Sequence, residues 1–318
     1  MAKLIKNRAI AAHSESVQGT PIFPAATDYF QAWDVSLKPA VEQLDRDYDR
    51  GFLDTVPGAI GAVSYELSFK TEVKGSGTAG TRYQPIDALF ESCGLSGSVQ
   101  GSTVVYKPIS SAPSTNYLGA SKSATISVVT DGLINTLKGA VGSVKFNFEA
   151  HKIPEAEFTF KGLYIATADS ASMPTVTPNE TIGYPVQLGT LNISGSAAHI
   201  ASKLEVDCGN TIAQIDDVQG TYGLYGFAIT NRKPVGSFDP LGVSVATHAF
   251  LAKVVSGDTF AGNFQTGATA GNIVKFTFNN MQYRDFSMVS KNELLAFQIP
   301  LAFHGSGSGN NWVTITMM

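Results

Sequence analysis

The sequence predicts an all-β fold with one short helix in each half of the chain. Two runs of residues between Ser143 and Ile165 alternate apolar and polar side chains, which is the pattern of half-buried strands. Residues 273–303 repeat this arrangement, and the segment VKFTF nearly copies the earlier VKFNF. With 31 glycines and only 15% charged residues, the composition favours many turns and a subunit that covers part of its surface in an assembly.

The first half contains further strand patterns and one helix pattern. The clearest strand alternates from Val63 to Val73. A helix is predicted to begin at Pro85 and end at Gly94, with Ile86, Leu89, Phe90 and Cys93 as its apolar stripe. Shorter strands are predicted at Trp33–Leu37, Thr103–Tyr106 and Thr125–Val129.

The second half follows a similar order, which indicates a duplicated domain. Strands are predicted at Leu188–Ser194, Ile200–Val206 and Leu224–Thr230, the last with Tyr225, Phe227 and Ile229 on one face. A helix follows, with Thr247 as its N-cap, Phe250, Leu251 and Val254 on its apolar stripe, and Gly257 at its end. We therefore expect one domain at 1–165, a Pro-rich linker at 166–185, and a second domain at 186–318.

Residues 42–61, EQLDRDYDRGFLDTVPGAIG, combine dense charge with glycine, proline and apolar side chains. A long loop inside a compact domain is usually functional or disordered, and the apolar content disfavours disorder. We interpret this segment as an extended arm that docks on a neighbouring subunit. Its candidate contact residues are Asp45, Arg46, Asp47, Asp49, Arg50, Phe52 and Leu53.

The charge and cysteine content exclude several classes of function. The formal net charge of −4 argues against a general nucleic-acid-binding domain, which would carry a basic face. Cys93 and Cys208 are predicted to be buried free thiols, as expected for a reducing compartment. The apolar run at the N-terminus is too short for a signal peptide, and no apolar stretch approaches the roughly 18 residues of a membrane span.

Motifs for catalysis or cofactor binding are weak. Gly75–Gly80 matches G-x-G-x-x-G, but the predicted helix begins only at Pro85, too late to meet a phosphate, so a flexible hairpin loop is the better interpretation. Asp45, Asp47 and Asp49 resemble the start of a calcium loop that lacks its glycine and its final glutamate. The five histidines are scattered, and Asn231-Arg-Lys-Pro is interpreted as a solvated basic turn. We therefore predict no enzyme activity, no cofactor and no metal.

The ordered set of features resembles the tail tube proteins of long-tailed bacteriophages, of the two-domain type. The resemblance covers most of the chain. The segments that carry it are the turn Gly19–Pro21, SLKPAVEQLDRDYDRGFLDTVPGAIGAVSYELSFKTEV, IDALFESCG, VKFNFEAHKIPEAEFTFKGLY and ITNRKPVGSFDP.

This resemblance implies a β-sandwich or half-barrel per domain, with strands that pair edge to edge around a ring. Three two-domain chains would give a pseudo-hexameric ring, and rings would stack head to tail through the arm at 42–61 and the N-terminal strand. The inner wall would be neutral to acidic so that double-stranded DNA slides through without sequence-specific binding. Either the Glu66/Lys70/Glu72 face or the Lys145/Glu149 face could line it.

The resemblance also implies a location and partners. The protein would be assembled in the host cytoplasm and reside in the virion tail. It would contact itself, tail tip or baseplate proteins, the tail terminator and the tape measure protein, but no membrane. A carbohydrate-binding β-sandwich adhesin is the alternative, and an enzyme of unknown type is a third possibility; core positions hold most of the aromatic residues, which disfavours the adhesin.

Overall fold

The computed structural model describes residues 3–49, 51, 53–109, 122–170, 172–177, 179–187, 189–195, 199–307 and 309–318. Within these ranges the chain is mostly strand, with two short helices, as the sequence predicts. The helices are α1 (Gln84–Ser92) and α2 (Phe250–Ser256). The strands of the first half are β1 (Arg8–Ser14), β2 (Tyr29–Phe30), β3 (Trp33–Leu44), β4 (Ala59–Glu72), β5 (Leu95–Gln100), β6 (Thr103–Pro108), β7 (Ala124–Thr130), β8 (Leu133–Glu149) and β9 (Glu155–Asp169). Those of the second half are β10 (Thr190–Ile193), β11 (Ala201–Asp207), β12 (Asn210–Asp216), β13 (Leu224–Arg232), β14 (Val235–Pro240), β15 (Phe260–Thr266), β16 (Val274–Tyr283), β17 (Ser287–Lys291), β18 (Leu294–His304) and β19 (Val313–Met317).

The predicted aromatic hairpin is confirmed as β8 and β9, which pair antiparallel along most of their lengths. Phe146 and Phe158 are fully buried, as their alternation predicts. Both strands are longer than predicted, because the pairing continues past an irregularity between Lys138 and Val141. Gly142 follows this irregularity, and glycine is required there because a Cβ would stand 2.4 Å from the ring of Phe160.

One edge of β8 connects the two halves of the chain. Its residues up to Ala140 pair with β7, and those from Lys145 onward pair with β11 of the second half. A second link joins β19 to β6. Seventeen of the described strands therefore form one hydrogen-bonded network, which does not close into a barrel; β12 and β13 form a separate hairpin.

A single apolar core receives side chains from both halves. The two similar segments VKFNF and VKFTF meet there: the rings of Phe146 and Phe148 each lie 5.0 Å from that of Phe276. Residues of the proposed linker are held by the first half, since Lys74 donates to the carbonyl of Asn179 at 3.0 Å. The division into 1–165, 166–185 and 186–318 stays a prediction.

The two helices differ in how well the sequence predicts them. Helix α1 has Pro85 in its first turn and Gly94 with φ of +77° just past its end, as predicted. Helix α2 ends at Gly257 as predicted, but the N-cap prediction is wrong: the N-cap is Ala249, and Thr247 lies in the preceding turn. Leu251 is exposed rather than buried, because so short a helix turns only Phe250 and Val254 toward the core.

Two other predictions of the sequence need correction. The predicted loop at 42–61 is shorter at both ends, since β3 and β4 pair out to Leu44 and Ala59 and leave 45–58 as the connection. On β13, Phe227 is buried while Tyr225 is exposed, so the predicted apolar face is not buried along its whole length. The hairpin of β12 and β13 packs beside β8, where the segment between Ala140 and Lys145 pairs with neither β7 nor β11. This packing determines which side chains of β13 are covered.

Candidate subunit contact surfaces

The hairpin of β3 and β4 extends beyond the neighbouring strand. Strand β4 pairs with β9 only from Ser64 onward, so its first residues and their β3 partners have no third strand beside them. Val41, Leu44 and Ile60 lie in this extension and are 45%, 47% and 58% exposed. Exposed apolar residues concentrated on one projecting element mark a protein contact surface.

The connecting loop 45–58 carries the predicted contact residues. Asp45, Asp47 and Asp49 are exposed. The guanidinium of Arg46 lies over the ring of Tyr48, 5.1 Å from its centroid. Leu53 is fully exposed, whereas Arg50 and Phe52 lie outside the described residues. The structure thus places the described members of the predicted set on one projecting loop.

Strand β3 also presents an unpaired edge. One edge of this strand pairs with β4, and no described strand pairs with the other. Four other strands of the network also pair with a single described strand: β2 with β1, β5 with β6, β10 with β15, and β17 with β18. An unpaired edge offers free N–H and C=O groups, and is therefore a template for a strand of another subunit.

A continuous polar face runs across β4, β9, β8 and β11. Register places Glu66 opposite Lys161 and Lys145 opposite Glu157, and the next strand continues the face with Glu205. The two faces that the sequence left as alternatives, Glu66/Lys70/Glu72 and Lys145/Glu149, are therefore parts of one surface. Ion pairs join its strands, at 3.0 Å between Lys161 and Glu66 and 3.6 Å between Lys145 and Glu205.

This polar face is acidic. Along the four strands it carries seven carboxylates and five lysines, a formal charge of −2. The carboxylates belong to Glu66, Glu72, Glu149, Glu155, Glu157, Glu205 and Asp207, and the lysines are Lys70, Lys138, Lys145, Lys161 and Lys203. Because the charges are interspersed, the surface is well hydrated and repels polyanions without offering them a strong binding site.

A comparison with protein-family models decides the family. The model described as phage tail tube protein matches residues 6–310 of this chain. The chain belongs to the phage tail tube protein family. The resemblance inferred from the sequence is thereby confirmed, and the chain has a structural role in the virion tail. A search of curated proteins finds no match.

Tail tube proteins are not an enzyme family, and the G-x-G-x-x-G segment of this one has a packing role. The loop joins β4 to α1 and packs against residues near Gly271: Gly77 N–H donates to the Gly271 carbonyl at 3.1 Å. A Cβ on Gly75 would stand 2.0 Å from the same oxygen. The loop is therefore held between the two halves, and is not the flexible hairpin loop predicted. The described residues contain no group of three or more metal-ligating side chains, and neither described helix could span a bilayer.

Sequence reasoning missed a partly buried interlock, a set of hydrogen bonds between the two halves centred on Arg232. This side chain was predicted to be solvated, but it reaches between the halves to the C-terminus of α1. Its Nε donates to Asn210 Oδ1 at 2.8 Å and its Nη2 to the Gly94 carbonyl at 3.1 Å. Asn210 Nδ2 in turn donates to the carbonyl of Cys93 at 2.8 Å. Carbonyls at a helix end lack partners within the helix and attract a cation, which explains the arrangement.

The two cysteines lie beside this interlock as buried free thiols, as predicted. Burial raises the pKa of the Cys93 thiol well above its ordinary value and that of Cys208 to about 12. Burial also lowers the pKa of the Arg232 guanidinium. Thiols held protonated are poor nucleophiles, so these residues contribute to packing. No motif in the sequence signals the interlock, because an arginine in a turn is usually exposed.

Proposed function

We propose that three copies of the chain form a ring and that rings stack into the hollow tube through which the phage genome passes. The observation that carries this proposal is the strand network, which spans both halves and has several strands that are paired on one side only, among them β3, β5 and β10. Pairing such edges between copies removes them from solvent and closes a sheet around an axis. Two similar halves per chain make three chains equivalent to six single units.

Stacking would use the hairpin of β3 and β4. Its loop carries the exposed Asp45, Asp47, Asp49 and Leu53, and its stem exposes apolar side chains that no described strand covers. A contact between this loop and a different surface of the next ring is heterologous and repeats without limit. We propose that the N-terminal strand β1 also takes part in this contact.

The polar face of β4, β9, β8 and β11 is our candidate for the inner wall. Its formal charge of −2 per chain would repel the phosphates of double-stranded DNA and keep the transiting genome from adhering. We further propose that the ends of the tube contact the tail tip or baseplate and the terminator, that the tape measure protein occupies the lumen before the genome, and that assembly takes place in the host cytoplasm.

Negative-stain electron microscopy of the concentrated protein, with and without tail-tip extract as a seed, tests this function. Hollow rings or tubes with three-fold or pseudo-six-fold end views are expected. Deleting Asp45–Thr55 should leave single rings or monomers. Compact particles without rings under every condition would refute the proposal, and a glycan array would then test the adhesin alternative.

A smaller change separates the contribution of the loop from general damage to the fold. Leu53→Ser removes an apolar side chain that is fully exposed in the free chain, so it should weaken stacking without lowering the stability of the monomer. Val218→Ser is the matched control, since Val218 is equally exposed on the loop between β12 and β13. Equal loss of tubes in both variants would contradict a specific role for the loop.

A further inference from the structure

A groove with a volume of about 740 Å³ opens between the N-terminal segment and the start of β3. Its apolar lining includes Ile5, Ile10, Phe30, Val35 and Val176. Strand β1 pairs with β2 at only two positions, after which the chain diverges from β1 and leaves the space open. Apolar side chains around a cleft of this size are typical of a site that receives a ligand or a peptide segment.

The groove has positive charge that the described part of its own chain does not neutralise. Lys6 is exposed and forms no ion pair with any described residue. The Arg8 Nη1 donates to the carbonyl of Val35 at 2.7 Å, while its Nε is buried without a hydrogen-bond partner. Asp34 also lines the groove, but its carboxylate is 3.2 Å from Lys70 Nζ. The groove therefore suits an acidic segment that also carries apolar side chains.

We propose that this groove is the acceptor for the loop 45–58 of the next copy, an inference that rests on the stacked-ring function proposed above. The loop has four aspartates and two arginines, a formal charge of −2, and it carries the fully exposed Leu53. Its charge and its apolar side chain both complement the groove. An acidic segment in the groove gains favourable charge interactions with Lys6 and with the guanidinium of Arg8, and the apolar lining covers Leu53.

The geometry of β3 requires that the loop come from another copy. Val35 lines the groove, and the loop begins after Leu44, nine residues further along the same strand. At about 3.3 Å per residue, this strand holds the loop about 30 Å from the groove of its own chain. Donor and acceptor are thus different surfaces at distant points of one subunit, which is the arrangement of a head-to-tail filament.

Disulfide trapping tests the contact directly. A chain with both Leu53→Cys and Ile5→Cys should give, after mild oxidation of tubes, a ladder of covalent oligomers on non-reducing gels. Each single variant should give no ladder. The native Cys93 and Cys208 are buried and do not interfere. The control pair is Leu53→Cys with Val218→Cys, whose second position is fully exposed but lies outside the groove.

A charge reversal gives a second, independent measurement. Lys6→Glu should raise the protein concentration needed for tube assembly by about two- to fivefold, the range expected for loss of one partly exposed ion pair. Lys107→Glu is the control, since Lys107 is exposed on β6 away from the groove. Tubes that form without a ladder from the Leu53→Cys, Ile5→Cys chain would overturn the groove assignment and leave the stacked-ring function intact. Absence of rings and tubes from the unmodified chain would overturn both.

Discussion

Replacing Phe146 by alanine should destabilise both halves of the molecule at once. Phe146 is fully buried on β8, and its ring lies 5.8 Å from that of Phe90 and 5.0 Å from that of Phe276 in the second half. Truncation of a buried phenylalanine removes its apolar burial and leaves a cavity, which costs about 3–5 kcal/mol. Since small proteins and domains are stable by only about 5–15 kcal/mol, the effect should be large in any denaturation experiment.

The two tryptophans make the assay specific, because one lies in each half. Trp33 is on β3, and Trp312 is buried with its ring 5.8 Å from that of Phe303. Single-tryptophan chains made with Trp33→Phe or Trp312→Phe report the unfolding of one half each by fluorescence in urea. With a shared core, Phe146→Ala shifts both transitions to lower urea by the same amount. A shift at Trp33 with no change at Trp312 would refute the shared core and favour two independently folding domains.

Substitutions at three further positions test local features of the fold, each by urea denaturation. Gly142→Ala should lower the free energy of unfolding by about 1–3 kcal/mol, because the new methyl group would overlap the ring of Phe160. An unchanged midpoint of unfolding would contradict the tight approach of β8 to β9. Arg232→Met should cost about 2 kcal/mol by removing charge-assisted hydrogen bonds to Asn210 and to the end of α1; Arg232→Lys should recover little, since one ammonium cannot reach both acceptors. Burial, followed by the nearby His199, lowers the pKa of His248 to about 4, so the unfolded chain binds more protons below its ordinary pKa of 6.5. Through this group, stability should fall by up to about 3 kcal/mol as the pH drops from 6.5 to 4. His248→Gln should reduce the loss without abolishing it, because burial also lowers the pKa of His199.

The sequence was most informative where alternation is strict and the residues are aromatic. The hairpin of β8 and β9 and the strand β4 could be predicted because Phe146, Phe158 and Leu67 alternate with charged residues and lie on the core face. Several short strands, such as β14 and β15, escaped prediction because Gly236 and Gly262 weaken their patterns. Periodicity defines a strand and its buried face, but it does not define the partner of that strand.

At the candidate contact surfaces, too, the sequence does not show which strands and segments lie next to each other. Residues 45–58 could be predicted as part of an arm because charged, glycine and apolar residues coincide there. The length of the loop could not be predicted, because it depends on the pairing of Leu44 with Ala59 on two different strands. Nothing local indicates that Lys6 and Arg8 stand beside Val35, since β1 and β3 are not paired with each other and the groove exists only because they diverge. Likewise, the acidic character of the polar face emerges only when β4, β9, β8 and β11 are placed side by side.

The distribution of exposed apolar residues connects these features to assembly. A monomer that exposed Val41, Leu44 and Ile60 on one hairpin, beside an unpaired strand edge, would aggregate unless an ordered partner covered both. The charges in the adjoining loop make that covering selective, because an acidic loop favours a basic groove and repels a second loop of its own kind. Head-to-tail addition would cover the apolar hairpin and would also place the acidic loop against a basic groove, using only the surfaces of one chain. A symmetric pairing of two loops would instead bring like charges together. In the proposed tube, the acidic loop would therefore both favour stacking and disfavour closed dimers, and a chain with the loop aspartates neutralised should form more off-pathway dimers relative to tubes.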